Sequence, residues 1–236
     1  MIFFNFPIFG TEKGGGFCLK NRWKQWFCCL FAVILALCSL TACGSKKEKG
    51  NVSMEDLPFG AVLRDLNTTE IPVEYDSRYF TEEAMTVLSN YFYAIQTEDT
   101  ALYQEVTLDF YDDYVMQQMF QGLVGLDGLL TQLKSSYTPQ QSATGTSTEN
   151  TDADVTFTQI NVVECEQSTD SVHSNLDNLY PMLNELSGEE DYCTQHVSDA
   201  KFLNLSLSLK SGDHTTTLSD QYVFLLCVDG KYVICS

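Results

Sequence analysis

The hydrophobic periodicity of the chain changes once, and this change constrains the fold more than any other feature. Between about residues 81 and 133, apolar residues recur every three or four positions, as in amphipathic helices. From Asp154 onward the period is two, most regularly in "LNLSLSL" (Leu203 to Leu209), which predicts a strand with one buried face. Helices followed by antiparallel strands are typical of the α+β class, so we expect helices packed on an antiparallel sheet.

The first part of the chain is predicted to form three helical pieces. Thr81 is suited to cap the first N-terminus, and three closely spaced glycines break the pattern later on. The pieces are predicted from Thr81 to Gln96, from Leu108 or Asp109 to a break at Gly122, Gly125 and Gly128, and from Leu126 to Leu133, with a short turn around Ala101 to Glu105.

Four strands and one inserted helix are predicted in the second half. The polar stretch Ser135–Ala153 has no periodicity and is predicted to be a mobile loop. Leucines at helical spacing predict a helix over Asp170–Leu186, kinked at Pro181, between the first two strands. Asp229-Gly230 fits a two-residue hairpin turn. The strands are predicted at Asp154–Cys165, Phe202–Lys210, Leu218–Val228 and Lys231–Cys235.

The two strands of the closing hairpin are apolar on both faces. "YVFLLCV" and "YVIC" lack the alternation of "LNLSLSL", so both faces of this hairpin must be covered. The helical layer is one cover. The second cover is either the inserted helix or a second subunit, which would make a homodimer through the sheet face.

Residues from Asp76 to Ser236 resemble the nuclear transport factor 2-like, or cystatin-like, fold. The matching parts are the helix-turn-helix "VLSNYFYAIQTEDTALYQEVTLDFYDDYV" and the hairpin "VFLLCVDGKYVIC", in which "DGKY" replaces the "DGKW" common in these families. The resemblance implies a cone-like domain of helices on a curved antiparallel sheet. The inserted helix departs from the minimal fold. Small lipoproteins of this fold, mostly of unknown function, are frequent on Gram-positive cells.

The N-terminal region has the pattern of a secretory signal peptide. Lys20, Arg22 and Lys24 precede an uncharged run of 17 residues, Trp26–Ala42, and small residues follow it. A single-pass membrane anchor is the alternative. Residues 1–18 fit poorly and are predicted to be untranslated, because codons 13–15 can encode a ribosome-binding site and Leu19 can be an initiating TTG codon.

The ending "LTAC" resembles a bacterial lipobox. The resemblance implies a lipid on Cys43, removal of residues 1–42 as signal peptide, and a protein anchored in the cell membrane and facing outward. The lipid that the resemblance implies carries two acyl chains, and two chains retain a protein on a membrane far longer than one chain does. Residues 43–75 are then a tether and lead-in, followed by one domain at 76–236.

The predicted mature chain is strongly acidic. Without residues 1–42 it keeps 9 basic and 31 acidic residues, a net charge of −22. Such a surface repels phosphate backbones, so no nucleic-acid partner is expected, and the lipid on Cys43 is the only expected membrane contact. Cationic peptides or calcium are candidate partners, and the alternative is that the acidity only maintains solubility.

The four cysteines of the domain allow two interpretations. Cys165 and Cys193 flank the inserted helix and form a disulfide if their strands are neighbours, whereas Cys227 and Cys235 are expected on opposite faces of the hairpin. Alternatively, all four are buried thiols. Cys193 and His196 have the spacing of half a zinc site, with Cys165 and His173 as partners, but no second half is present and no metal is predicted.

One cluster of residues has the types needed for acid–base catalysis. Asp109, Asp112, Asp113 and Tyr114 place carboxylates beside tyrosine, as in some enzymes of the cone fold. The alternative is structural, because carboxylates stabilise the start of a helix. We therefore predict a non-catalytic binding or interaction module for an unknown small-molecule or protein ligand, without cofactor. A small acid–base isomerase or hydrolase using the cone cavity is the alternative.

Overall fold

The computed structural model describes residues 57–137, 155–167, 170 and 174–236. The predicted signal peptide, Cys43, His173 and most of the predicted loop lie outside these ranges. The described helices are α1 (Glu82–Thr97), α2 (Thr100–Val106), α3 (Asp109–Phe120), α4 (Leu126–Ser136), α5 (Ser174–Ser187) and α6 (Tyr192–His196). The described strands are β1 (Leu63–Leu66), β2 (Val73–Asp76), β3 (Val155–Gln167), β4 (Val197–Ser211), β5 (His214–Val228) and β6 (Lys231–Cys235).

The strands form one six-stranded sheet in the order in which they occur along the chain. The α+β class is therefore confirmed. The prediction of an entirely antiparallel sheet is wrong at one pair, since β2 and β3 run parallel, with Val73 beside Ile160. Helices α1 to α4 lie between these two strands, and only a long connection of this kind allows parallel pairing. The sheet begins at Leu63, before the domain boundary predicted at Asp76.

The first face of the sheet carries the main core. Thr81 caps helix α1, as predicted, because its hydroxyl accepts a hydrogen bond from the Ala84 amide at 3.2 Å. Ser89 on the same helix is buried and bonds both the amide and the carbonyl of Ile71, which joins the helix to the start of β2. Residues of the main core include Leu88, Phe92, Ile160, Leu203, Leu205, Leu207 and Ile234.

The alternation predicted in β4 is confirmed. Leucines at 203, 205, 207 and 209 are buried in the main core, while the residues between them are only half-buried on the other face. We call this other face the outer face. Residues Phe202, Asn204 and Ser206 of β4 lie on it.

A second core covers the outer face at one end of the sheet. Leu225 belongs to the main core and its neighbour Leu226 to the second core, so both faces of the hairpin are buried. Helix α5 supplies Leu176, Leu179 and Leu183, and Tyr111 of α3 packs with them. The helix between β3 and β4 therefore provides a second cover within the chain itself, one of the two alternatives that the sequence leaves open.

The hairpin between β5 and β6 has the predicted turn. Asp229 and Gly230 have φ angles of 50° and 80°, the left-handed values that a primed two-residue turn requires. In the resulting register Cys227 pairs with Tyr232 and Cys235 with Phe224, so the two cysteines lie on opposite faces, as predicted.

Candidate functional site

The structure does not bring the predicted acid–base residues together. All four lie on α3, but Asp109 and Asp113 are exposed and Tyr114 is half-buried, whereas Asp112 is buried with 5% of its surface accessible. Asp112 is therefore the one member of the cluster whose environment changes its chemistry.

Asp112 takes part in a buried hydrogen-bond network. The Thr107 hydroxyl lies 2.6 Å from Oδ2 of Asp112 and 2.9 Å from the carbonyl oxygen of Tyr103. The ionised Asp112 accepts from the Thr107 hydroxyl, whereas a protonated Asp112 can donate to the Thr107 oxygen and leave the Thr107 proton to the Tyr103 carbonyl. Burial raises the pKa of Asp112 to about 6, while the bond from Thr107 opposes this shift.

The surroundings of Asp112 are a filled core. The Tyr91 hydroxyl lies 2.5 Å from the Ser236 hydroxyl, and the Tyr111 hydroxyl donates to the Ser236 carbonyl at 3.3 Å. The ring centroids of Tyr91 and Tyr103 lie 5.5 Å apart. Burial raises the pKa values of Tyr91 and Tyr103 far above their usual range, so both remain neutral donors. The network thus satisfies buried polar groups rather than presenting them to a substrate.

The four described cysteines are free thiols. Cys165 packs against the main core, whereas Cys193 is buried in the second core, on the other side of the sheet. This arrangement does not favour the Cys165–Cys193 bridge. Burial raises the pKa of Cys165 to about 12 and that of Cys193 to about 11, so both thiols are protonated at neutral pH.

The predicted half-site for zinc is used for other contacts. Cys193 Sγ lies 3.6 Å from the Tyr180 carbonyl oxygen. His196 Nδ1 lies 3.0 Å from Asp229 and Nε2 lies 3.4 Å from Glu189, and the hydrogen bond to Asp229 raises the pKa of His196. Within the described part of the chain, no group of three or more His, Cys, Asp and Glu side chains is arranged to hold a metal ion.

A cavity of about 490 Å³ lies on the outer face, and we call it the β3 groove. Strands β3, β4 and β5, the start of α5 and the segment before β1 contribute to it. Its lining consists of Phe59, Glu164, Cys165, Glu166, Asn175, Phe202, Asn204 and Tyr222.

Aromatic side chains form one wall of the β3 groove. The rings of Phe202 and Tyr222 are stacked at an interplanar angle of 4°, with centroids 5.4 Å apart. The ring centroid of Phe224 lies 4.8 Å from that of Phe202. Tyr222 is 38% exposed although it is a large aromatic residue. The packed rings of this wall still offer an aromatic surface to a ligand.

Carboxylates form the opposite wall. Glu166 accepts hydrogen bonds from the backbone amide and the side-chain amide of Asn175, at 3.1 and 2.8 Å, and so fixes the start of α5. Glu164 has only a long contact of 3.5 Å with the Asn204 side chain. None of the described residues lining the groove is basic, so Glu164 keeps acceptor capacity for a ligand.

Two buried amide oxygens lie on the same face. Oδ1 of Asn204, a lining residue, and Oδ1 of Asn161 on the neighbouring strand have no hydrogen-bond partner within the described structure. A buried acceptor without a donor carries a free-energy cost, which a ligand that supplies N–H groups can relieve.

Sequence reasoning did not identify the β3 groove. Its residues come from five separate segments, and only the strand register brings Asn204 between Glu164 and Tyr222. The available signal was Phe202, an aromatic residue in the otherwise polar register of β4. A second cavity of about 420 Å³ lies at the end of α5 and has no aromatic lining residue.

Comparison of the chain with protein-family models, curated proteins and solved structures finds no match. No helix among the described residues is long and apolar enough to cross a membrane.

Proposed function

We propose that this protein is a lipid-anchored lipoprotein of the cell envelope, exposed on the outer side of the membrane, and that it binds a ligand non-catalytically through the β3 groove. The signal-peptide pattern and the lipobox-like "LTAC" support the location. The groove supports the binding role. It combines exposed aromatic surface with a carboxylate that has spare acceptor capacity.

We also place the domain in the nuclear transport factor 2-like architecture. The packing of α1 and α2 against the sheet and the closing β5–β6 hairpin support this assignment. The parallel β2–β3 pair and the outer-face helix α5 are additions to the minimal fold.

The observation that carries the proposal is the contrast between Asp112 and the β3 groove. Asp112 has the raised pKa of a general acid, but it lies in a filled core. The groove is open to solvent, and it combines the exposed ring of Tyr222 with the acceptor oxygens of Glu164. Binding is therefore the function that this geometry supports best.

NMR titration with n-butylammonium, n-butanol and butyrate tests the binding role. We expect the cation to shift the amide signals of Glu164, Asn204 and Tyr222, and butyrate to leave them unchanged. Tyr222→Ala should weaken the response about fivefold, whereas Tyr114→Ala, on α3, should not. If all three probes leave the groove signals unshifted, the proposed binding role is wrong.

The lipid anchor is tested separately. Cells producing the Cys43→Ala protein are expected to incorporate no labelled palmitate into it and to accumulate the chain with its leader attached. Palmitate incorporation that persists in this variant would refute lipidation at Cys43.

A small acid–base enzyme remains the second candidate, because Asp112 with its raised pKa lies among tyrosines. If Asp112 serves catalysis, its ionised form must be retained despite a cost in stability. The pH dependence of the unfolding free energy of Asp112→Asn measures that cost directly.

A further inference from the structure

Strand β3 has an open backbone edge beside the groove. The amide of Ile160 donates to the Pro72 carbonyl at 2.9 Å, and the parallel pairing of β2 with β3 ends at Asn161. Beyond that point, residues 162–166 pair with β4 on one side. The Asp170 amide donates to the Gln167 carbonyl at 3.0 Å and closes the end of this edge, and among the described residues no backbone group bonds residues 162–166 from the other side.

The edge is open because the neighbouring chain turns away. Asp76 and Arg78 lie at the end of β2, where the ion pair between them fixes a turn. A bulge at Val163 then bends β3, and the Val163 side chain is 49% exposed. An unpaired edge of this length is a template for pairing with another extended chain.

The open edge and the β3 groove share residues. Glu164, Cys165 and Glu166 belong to the edge and also line the groove. Alternate side chains of a strand project to the same face of a sheet. A strand added along residues 162–166 would therefore direct every second side chain toward Glu164 and the Phe202–Tyr222 ring pair.

The charge of this region selects the partner. A second copy of this chain, paired edge to edge, would bring Glu164 and Glu166 of both copies together, and like charges on adjacent strands are destabilising. A basic segment would instead be attracted by these carboxylates. Its ammonium or guanidinium groups can pair with Glu164, stack on the aromatic wall and donate to the amide oxygen of Asn204.

We infer that β3 accepts a basic, extended peptide segment by strand addition, with a Lys or Arg side chain of that segment in the β3 groove. The inference rests on the proposed binding role of the groove and adds the class of partner. The acidity of the whole chain, with a formal net charge of −19, also favours the approach of a basic partner.

Fluorescence anisotropy with the purified full chain in detergent tests the inference. The probe is a labelled heptapeptide of alternating threonine and lysine with blocked ends, and glutamate replaces lysine in a comparison peptide. Two further versions carry N-methyl groups on the amides of one edge or of the other. Because an added strand pairs through one edge only, one methylated version should bind at least tenfold more weakly, and the other should bind like the parent.

Substitutions in the protein provide the second arm of the test. Glu164→Gln should weaken binding of the basic peptide about tenfold, while Glu105→Gln, an exposed carboxylate on α2, should leave it unchanged. Equal binding of both methylated peptides and the parent would overturn strand addition but leave groove binding intact. Equal binding of the glutamate peptide, or dimers that form through this edge, would overturn the choice of partner. If n-butylammonium does not shift the groove amide signals of the native protein, the underlying groove proposal is refuted instead.

Discussion

Replacing Asp76 by Asn is expected to lower the free energy of unfolding by about 3–5 kcal/mol, the typical cost of removing one partner of a buried ion pair. Asp76 is fully buried, and Arg78 binds it through Nε at 3.0 Å and Nη2 at 2.6 Å. In the variant the guanidinium stays in place without its counter-charge.

The effect should extend to the segment that precedes β1. Asp76 Oδ2 accepts from the Gly60 amide at 2.8 Å, and Arg78 donates to the carbonyls of Leu57 and Pro58. Hydrogen exchange at the Gly60 amide should accelerate in Asp76→Asn. Urea unfolding followed by circular dichroism measures the global effect, and Asp65→Asn, on the exposed part of β1, is the control. A loss below about 1 kcal/mol would mean that the pair contributes little beyond local order.

The same ion pair predicts acid sensitivity. The Arg78 guanidinium lowers the pKa of Asp76 from 3.8 to about 2, so the native state holds this carboxylate ionised more strongly than the unfolded chain does. The stabilisation is present above pH 4 and is lost as the pH falls toward 2, at a cost of about 2 kcal/mol. Asp76→Asn should lack this part of the acid transition.

Replacing Asp112 by Asn is expected to stabilise the protein at neutral pH. The pKa of Asp112 is raised from 3.8 to about 6, so the native state binds the proton more tightly than the unfolded chain. Its contribution to stability is therefore greatest below pH 4 and falls as the pH rises toward 6, by about 3 kcal/mol in total. Asn removes the ionisation and can donate to Thr107 as the protonated acid does.

Urea unfolding at pH 4 and pH 8 measures this effect. Asp112→Asn should match the native protein at pH 4 and exceed its unfolding free energy by up to about 3 kcal/mol at pH 8. Asp113→Asn, its exposed neighbour, should change little at either pH. If Asp112→Asn instead destabilises the protein at pH 8, the hydrogen bonds that the ionised carboxylate accepts outweigh the cost of its burial. The explanation of the raised pKa by burial would then be wrong.

Much of the fold could be predicted from patterns that are local in sequence. The Thr81 cap, the alternation of Leu203 to Leu209 and the Asp229-Gly230 turn each depend on neighbouring residues, and each appears in the structure. Strands β1 and β2 could not be predicted in this way. They are four residues long, and their place in the sheet depends on pairing with residues far along the chain.

The candidate site shows the same limit more strongly. Asp112 stood out because carboxylates and tyrosines cluster around it in sequence, yet its burial removes it from solvent. Glu164 and Tyr222 carry no local signal, because each is an ordinary strand residue by itself, and Phe202 stands out only as an aromatic residue in a polar register. Only the register of three strands, shifted by the bulges in β3 and β4, brings them together.

Strand β6 has a consequence for the order in which the protein can fold. It supplies Ile234 to the main core and Cys235 to the second core, and it is synthesised after all the other described strands. A nascent chain that still lacks residues 231–235 has both cores unfinished, and contacts between distant parts of a chain form slowly. Both cores can therefore close only after residues 231–235 have been made, so the last step of folding is expected to depend on this short strand.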